Sequence, residues 1–164
     1  MGQTGTRILG YIPQHGHSGP SDGGKLNAPI LLATVGVANI AVNIDVLLPL
    51  NVATYDSQSW YSTITYRYTP KQSGKYLVIG QMEGFAVNLT SADITIYKNG
   101  LQIPQTRRYA PVIVTDTNTA FPSTTHVVDC NGTTDYISLY GAVNGLNGGS
   151  ITDKTFLQII RISN

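Results

Sequence analysis

Between residues 66 and 78 the chain alternates in twos. Tyr66, Tyr68, Tyr76 and Val78 fall on period-two positions, which is how side chains line a sheet face, not a helix stripe. Pro70 ends the first run because it has no N–H to give to a ladder. Residues 71–74 are polar and finish on Gly74, which suits a hairpin-type connection. Further on, Ile94-Thr95-Ile96-Tyr97-Lys98 runs into Asn99-Gly100, the strongest short-range signal for a tight hairpin turn. A chain built of such units is committed to sheets.

The remainder agrees. Residues 28–50 carry short aliphatic runs, Ile30-Leu31-Leu32, Val35-Gly36-Val37, Ile40-Ala41-Val42 and Val46-Leu47-Leu48, with many β-branched residues and no lasting 3.6-residue stripe. They read as strands or an extended neck packed partly against neighbouring chains; a first core strand is the alternative. Residues 55–60 form a polar connection with aromatic edges, and 60–68 alternate as a strand. Residues 77–87 read as one long strand in which Gly80 marks a bulge or a close backbone approach. After Ser123 to Val128, a polar turn at 129–134 feeds an alternating strand, 144–150 is a Gly-Asn loop, and 155–162 is a closing strand. Roughly eight to ten short strands separated by Gly and Asn turns predict an all-β, two-sheet jelly roll.

Of the 164 residues 12% are charged and 41% hydrophobic, with 10 Tyr and 17 Gly. So few charges suit a fold that hides surface between subunits. A net charge of +1 aims no broad field at nucleic acid or anionic lipid. The single cysteine, Cys130, permits no internal disulfide. Asn and Asp residues and two prolines break the aliphatic stretch 26–50, so no run is long enough to enter a bilayer as a span. With no signal-like start, a soluble protein, non-secreted or delivered by assembly and lysis, is expected.

Residues 1–27 are rich in Gly, Pro, Ser, His and Gln, a leader-like composition. Within them His15 and His17 stand two apart, which on an extended strand puts both imidazoles on one side. Two nitrogens make a poor transition-metal site. Three chains around an axis supply six, enough for an octahedral cage of the kind imidazole offers to iron, nickel, copper or zinc. The alternative is two solvated leader residues.

Catalytic patterns are missing: there is no G-x-S-x-G, P-loop, H-E-x-x-H or paired-carboxylate motif. His126 and Cys130 share a strand parity, but four residues span about 13 Å, too far for one to activate the other. Cys130 reads as a buried structural thiol. Asn88-Leu89-Thr90 and Asn131-Gly132-Thr133 match the glycosylation sequon, with no secretory signal to give them weight.

From about residue 45 to 164 the ordered set Tyr55-Asp56, Tyr68-Thr69-Pro70, Gly74-Lys75-Tyr76-Leu77, Tyr97-Lys98-Asn99-Gly100, Gly132 with Asp135-Tyr136-Ile137-Ser138-Leu139, and Phe156 resembles the globular head of the C1q and tumour necrosis factor superfamily. The leader is similar to the His-x-His stalk motif of phage tail fibres, with Pro13 where that family usually has Gly. The resemblance implies a ten-strand jelly-roll head over 43–164, an extended stalk or neck over 1–42, and a compact homotrimer that binds rather than catalyses. His15 and His17 from three chains would hold an axial metal ion (iron, zinc or nickel).

A phage tail-fibre tip or receptor-binding head is the function implied, in the virion. Its expected partners are other virion proteins through the leader and a host-surface glycan or protein. A structural capsid or tail decoration is the alternative. Repeated loops on a trimer add weak contacts by avidity, and loops 55–60, 104–111, 116–125 and 144–150 carry Tyr, Asn, Ser, Thr and Gly, adaptable contact chemistry. The candidate receptor contacts are Tyr55, Trp60, Arg107, Arg108, Tyr109, Asn144 and Asn147. Arg107-Arg108-Tyr109 is either a basic contact for an anionic glycan or a charged strand edge that discourages aggregation.

Overall fold

A computed structural model describes residues 28–112 and 118–163. Among them are sixteen strands and no helix, hence no helix long and apolar enough to cross a membrane. The strands, numbered along the chain, form three antiparallel sheets. The first has five strands, in the order β13 (Ser123–Asn131), β7 (Ser73–Gln81), β16 (Phe156–Ser163), β1 (Ile30–Thr34) and β4 (Val52–Asp56). The second runs β10 (Leu101–Gln102), β9 (Ser91–Lys98), β14 (Ile137–Asn144), β6 (Arg67–Tyr68) and β5 (Tyr61–Ser62), with β11 (Arg108–Pro111) on β9 and β3 (Val46–Leu47) on β14. The third runs β12 (Thr119–Ala120), β8 (Gly84–Val87), β15 (Asn147–Ile151) and β2 (Ala38–Asn39).

The first two sheets face one another, β9 lying against β7 and β13. Alternation sends Leu31, Ala33, Val78, Leu157 and Ile159 inward from one sheet and Ile94, Ile96, Ile137 and Leu139 from the other, all buried. Each fully buried aliphatic contributes about 1.5–3 kcal/mol. Gly80 belongs to this contact. It pairs in continuous register with Thr124 and Leu157, so it is no bulge. A Cβ there would stand 2.6 Å from Leu139 Cδ1, so its role is the close approach of the sheets.

Three local expectations change. Residues 66–78 are not a hairpin: β6 lies in the second sheet and β7 in the first, so the segment around Pro70 crosses the sandwich. Tyr68 and Tyr76 are both buried and meet edge to face, centroids 6.2 Å apart. Their shared parity reflects two facing sheets, which a period of two cannot tell from one face. The run 60–68 folds back on itself as β5 and β6; Tyr66 takes φ 55°, and Ser62 Oγ accepts the N–H groups of Ile64 and Thr65. The run 77–87 breaks after Gln81, where Met82 N–H turns to Pro122 O and the chain enters the third sheet.

The division drawn at residue 42 also runs through the sandwich. β1 lies between β16 and β4 with Leu31 and Ala33 fully buried, the alternation of a core strand. His15 and His17 lie outside the described residues.

At one end the hairpin and the polar turn read from the sequence interlock. Asn99 and Gly100 both have positive φ, 54° and 78°, as a type I′ turn requires. Asn131 Oδ1 accepts the N–H groups of Thr133, Thr134 and Asp135. Asp135 in turn accepts from Asn99 Nδ2 at 2.7 Å and Asn131 N at 2.9 Å, with Lys98 Nζ at 2.9 Å. Gly132 has φ 74°, and a Cβ on it would meet Ser73 N at 2.3 Å. Gly132→Ala is therefore expected to destabilise the fold by at least about 2 kcal/mol in a urea titration; a loss of a few tenths would contradict this packing. Burial pushes the Asp135 carboxyl upward, but the bonds from Asn99, Lys98 and Asn131 outweigh it and leave the pKa below its ordinary value. The stability so gained is present above the ordinary carboxylate pKa and lost as pH falls through the folded one. Asp135→Asn should flatten the fall in stability below about pH 5.

Candidate functional site

Two outward faces stand out. On the first sheet the pairing sets apolar side chains in rows across four strands. Val127 is opposite Leu77, Leu77 opposite Ile160, and Ile160 opposite Ile30. The next row is mixed, running Thr125, Ile79, Gln158, Leu32 and Tyr55. Their inward neighbours are the buried ones, so these side chains point away from the core. Tyr55 is 54% and Val127 42% exposed. The Lys75–Asp129 ion pair at 2.8 Å lies along the next row, beside Leu77 and Val127. Exposed faces rich in apolar side chains commonly mark interaction sites.

The second sheet turns a polar face outward. On β9 the core takes Ala92, Ile94 and Ile96, leaving Ser91, Asp93, Thr95 and Tyr97 on the other side. Two loops close over them. Thr106 is fully buried and fixes the first: its Oγ accepts Ile96 N–H at 3.2 Å and donates to Ile103 O at 2.8 Å. This places Arg107 above β9. Asn43, at φ 61°, fixes the second by accepting Gly145 N–H and donating to Gly145 O, which brings Asp45 in. Arg107 then grips Asp45 with Nη1 and Nη2 at 3.1 and 3.2 Å and reaches Asp93 Oδ1 at 2.6 Å. The Asp93 side chain is only 3% exposed. Burial raises its pKa, and Arg107 opposes the rise. Asn144 Nδ2 donates to Ser91 Oγ at 2.9 Å and Asp93 Oδ2 at 3.3 Å. Beside the cluster Tyr97 and Tyr140 stack, centroids 4.0 Å apart.

Three of the sequence candidates thus converge. Arg107 and Asn144 share Asp93, and Tyr109 is directly opposite Asp93 in the ladder, on the same face. Tyr55 lies elsewhere, on the apolar face. Trp60 is partly buried, its ring 6.1 Å from that of Tyr68, and supports the core. Arg108 Nη1 donates to Gln105 O and Arg107 O, tying down its own loop. Asn147 pairs with Val87 at the start of β15. Asp45, Asp93, Tyr97 and Tyr140 are not among the contacts that the sequence suggests. The polar parity of 91–97 was a usable signal for Asp93, whereas nothing local announces Asp45. Among the described residues no three His, Cys, Asp or Glu side chains group to hold a metal ion. Cys130 is buried, and burial pushes its thiol up to about 11 despite Lys98, far from a ready nucleophile.

No family model and no curated protein matches the chain. Solved structures do. The globular domain of zebrafish complement 1qA superposes with a TM-score of 0.59 at 10% identity, covering 84% of this chain and 99% of that one. The fold is a C1q/TNF-like jelly roll. Murine APRIL at pH 8.0 gives 0.57 at 14% identity, covering 82% and 99% of the two chains. Eiger TNF from S. frugiperda gives 0.56 at 10%, covering 84% and 94%. Such identities carry the fold and not the function. In this C1q/TNF-like sandwich the apolar and polar faces belong to opposite layers.

Proposed function

We propose that the chain is a non-enzymatic homotrimeric head that binds a cell-surface receptor, as the tip of a phage tail fibre or a comparable virion appendage. The observation that carries this is the apolar outward face of the five-stranded sheet. Leu77, Ile160, Ile30 and Leu32 stand there in register, and covering them with another copy removes apolar area from water. A head-to-tail contact whose rotation is a third of a turn closes a ring of three, and a trimer multiplies weak receptor contacts. Cys130, inert and buried, and the missing catalytic motifs support binding over turnover. His15 and His17 of three chains would clamp the stalk on a transition metal. Emission analysis of the 164-residue chain is expected to find about one iron, zinc or nickel per three chains, lost in the His15→Ala/His17→Ala double variant. A metal-free protein would remove the clamp.

The same face would serve a decoration protein that recognises nothing. A glycan array separates the two readings: selective binding supports the receptor head, and a trimer that binds no glycan supports the decoration.

A further inference from the structure

We propose that the polar face of the seven-stranded sheet, at Tyr109, Asp45, Arg107 and Asp93, binds a neutral saccharide. This deepens the receptor-binding reading and rests on it. A sugar asks for two things of a protein surface: a flat apolar ring against its C–H face, and fixed planar polar groups that sort its hydroxyls. Tyr109 supplies the ring. It is opposite Asp93 in the ladder and 63% exposed.

The carboxylates supply the acceptors. Each has room for about four hydrogen bonds, and Arg107 gives one to each oxygen of Asp45. Asp45 keeps capacity toward solvent, its side chain 27% exposed. Donors stand alongside. Among the described residues neither the Tyr97 nor the Tyr140 hydroxyl donates to the protein. A second, independent sign is Thr95. It is fully buried on the same face, beside Tyr140 in register, and its Oγ has no hydrogen-bond partner. A buried hydroxyl without a partner is rare in a finished structure.

Charge decides the class of sugar. Two carboxylates around one guanidinium leave the cluster net negative, and Arg107 is committed to both. An acidic sugar would bring its carboxylate toward that surplus. The anionic-glycan reading of Arg107 therefore gives way to hydroxyl recognition. The cluster is also set in advance: Thr106, Asn43 and Asn144 hold it, so little ordering is needed on binding.

The test is the 164-residue chain on a printed array. One set of glycans is neutral, ending in glucose, galactose, mannose or rhamnose; the other is acidic, ending in glucuronate or sialate. Tyr109→Ala and Asp45→Asn probe the site, Lys71→Ala, exposed in the segment that crosses the sandwich after Pro70, lies outside it, and light scattering checks each variant's assembly. Neutral glycans should bind, with at least ~10-fold weaker binding in Tyr109→Ala and Asp45→Asn and no change in Lys71→Ala. Binding that ignores Tyr109→Ala, or that favours acidic glycans, overturns this site and leaves the receptor reading standing. A correctly assembled protein that binds no glycan overturns both.

Discussion

Replacing Arg107 by Ala is expected to lower stability by about 2–3 kcal/mol near neutral pH. Removing one partner of a buried ion pair costs about 3–5 kcal/mol because the other charge is stranded, and the half-exposed Arg107 side chain places this pair below that range. The stranded charge is Asp93, whose pKa burial already raises while Arg107 holds it down. A carboxyl with a raised folded pKa binds more protons folded than unfolded. Its favourable contribution is therefore complete below the unfolded pKa and lost as pH rises through the folded one. Without Arg107 the folded pKa climbs further, so the penalty grows at neutral pH and is relieved when Asp93 protonates. Urea titrations at fixed protein concentration, near neutrality and near pH 4, the ordinary carboxylate range, should show a larger loss at the higher pH. An equal loss at both would mean that Asp93 is not the group left unpaired.

Ile160→Asp should separate assembly from folding. Ile160 stands between Ile30 and Leu77 in the apolar face, pointing away from the core. A carboxylate there leaves the protomer's interior untouched, but burying it between chains without a partner costs several kcal/mol per contact. The expected result is a sheet-type circular dichroism spectrum with the mass of one chain. An assembly that survives this substitution would show that the face is not where the copies meet.

Much of the fold is readable because its signals are local. Asn99-Gly100 makes the turn its φ angles demand, and the closing strand at the C-terminus is where the alternation puts it. Parity misleads where two layers meet. Tyr68 and Tyr76 read as one face yet project from facing sheets, and the aliphatic run at Ile30–Thr34, which reads as strand or extended neck with a core strand as the alternative, is a core strand; only long-range pairing with β16 and β4 distinguishes these. The site shows the same limit. Arg107 and Tyr109 stand out as loop chemistry, but Asp45 meets Arg107 across 62 residues of chain, a separation no motif spans. Trp60, conspicuous in a polar loop, is held against Tyr68 by a turn at 63–66 that the alternating pattern conceals.

The central claim is that the apolar face of the five-stranded sheet joins three copies of this chain. Light scattering on the untagged 164-residue chain, across a dilution series, tests it most directly. The account predicts three times the 17.6 kDa chain mass at every concentration down to the micromolar range. A stable, well-folded protein at the mass of a single chain would contradict it.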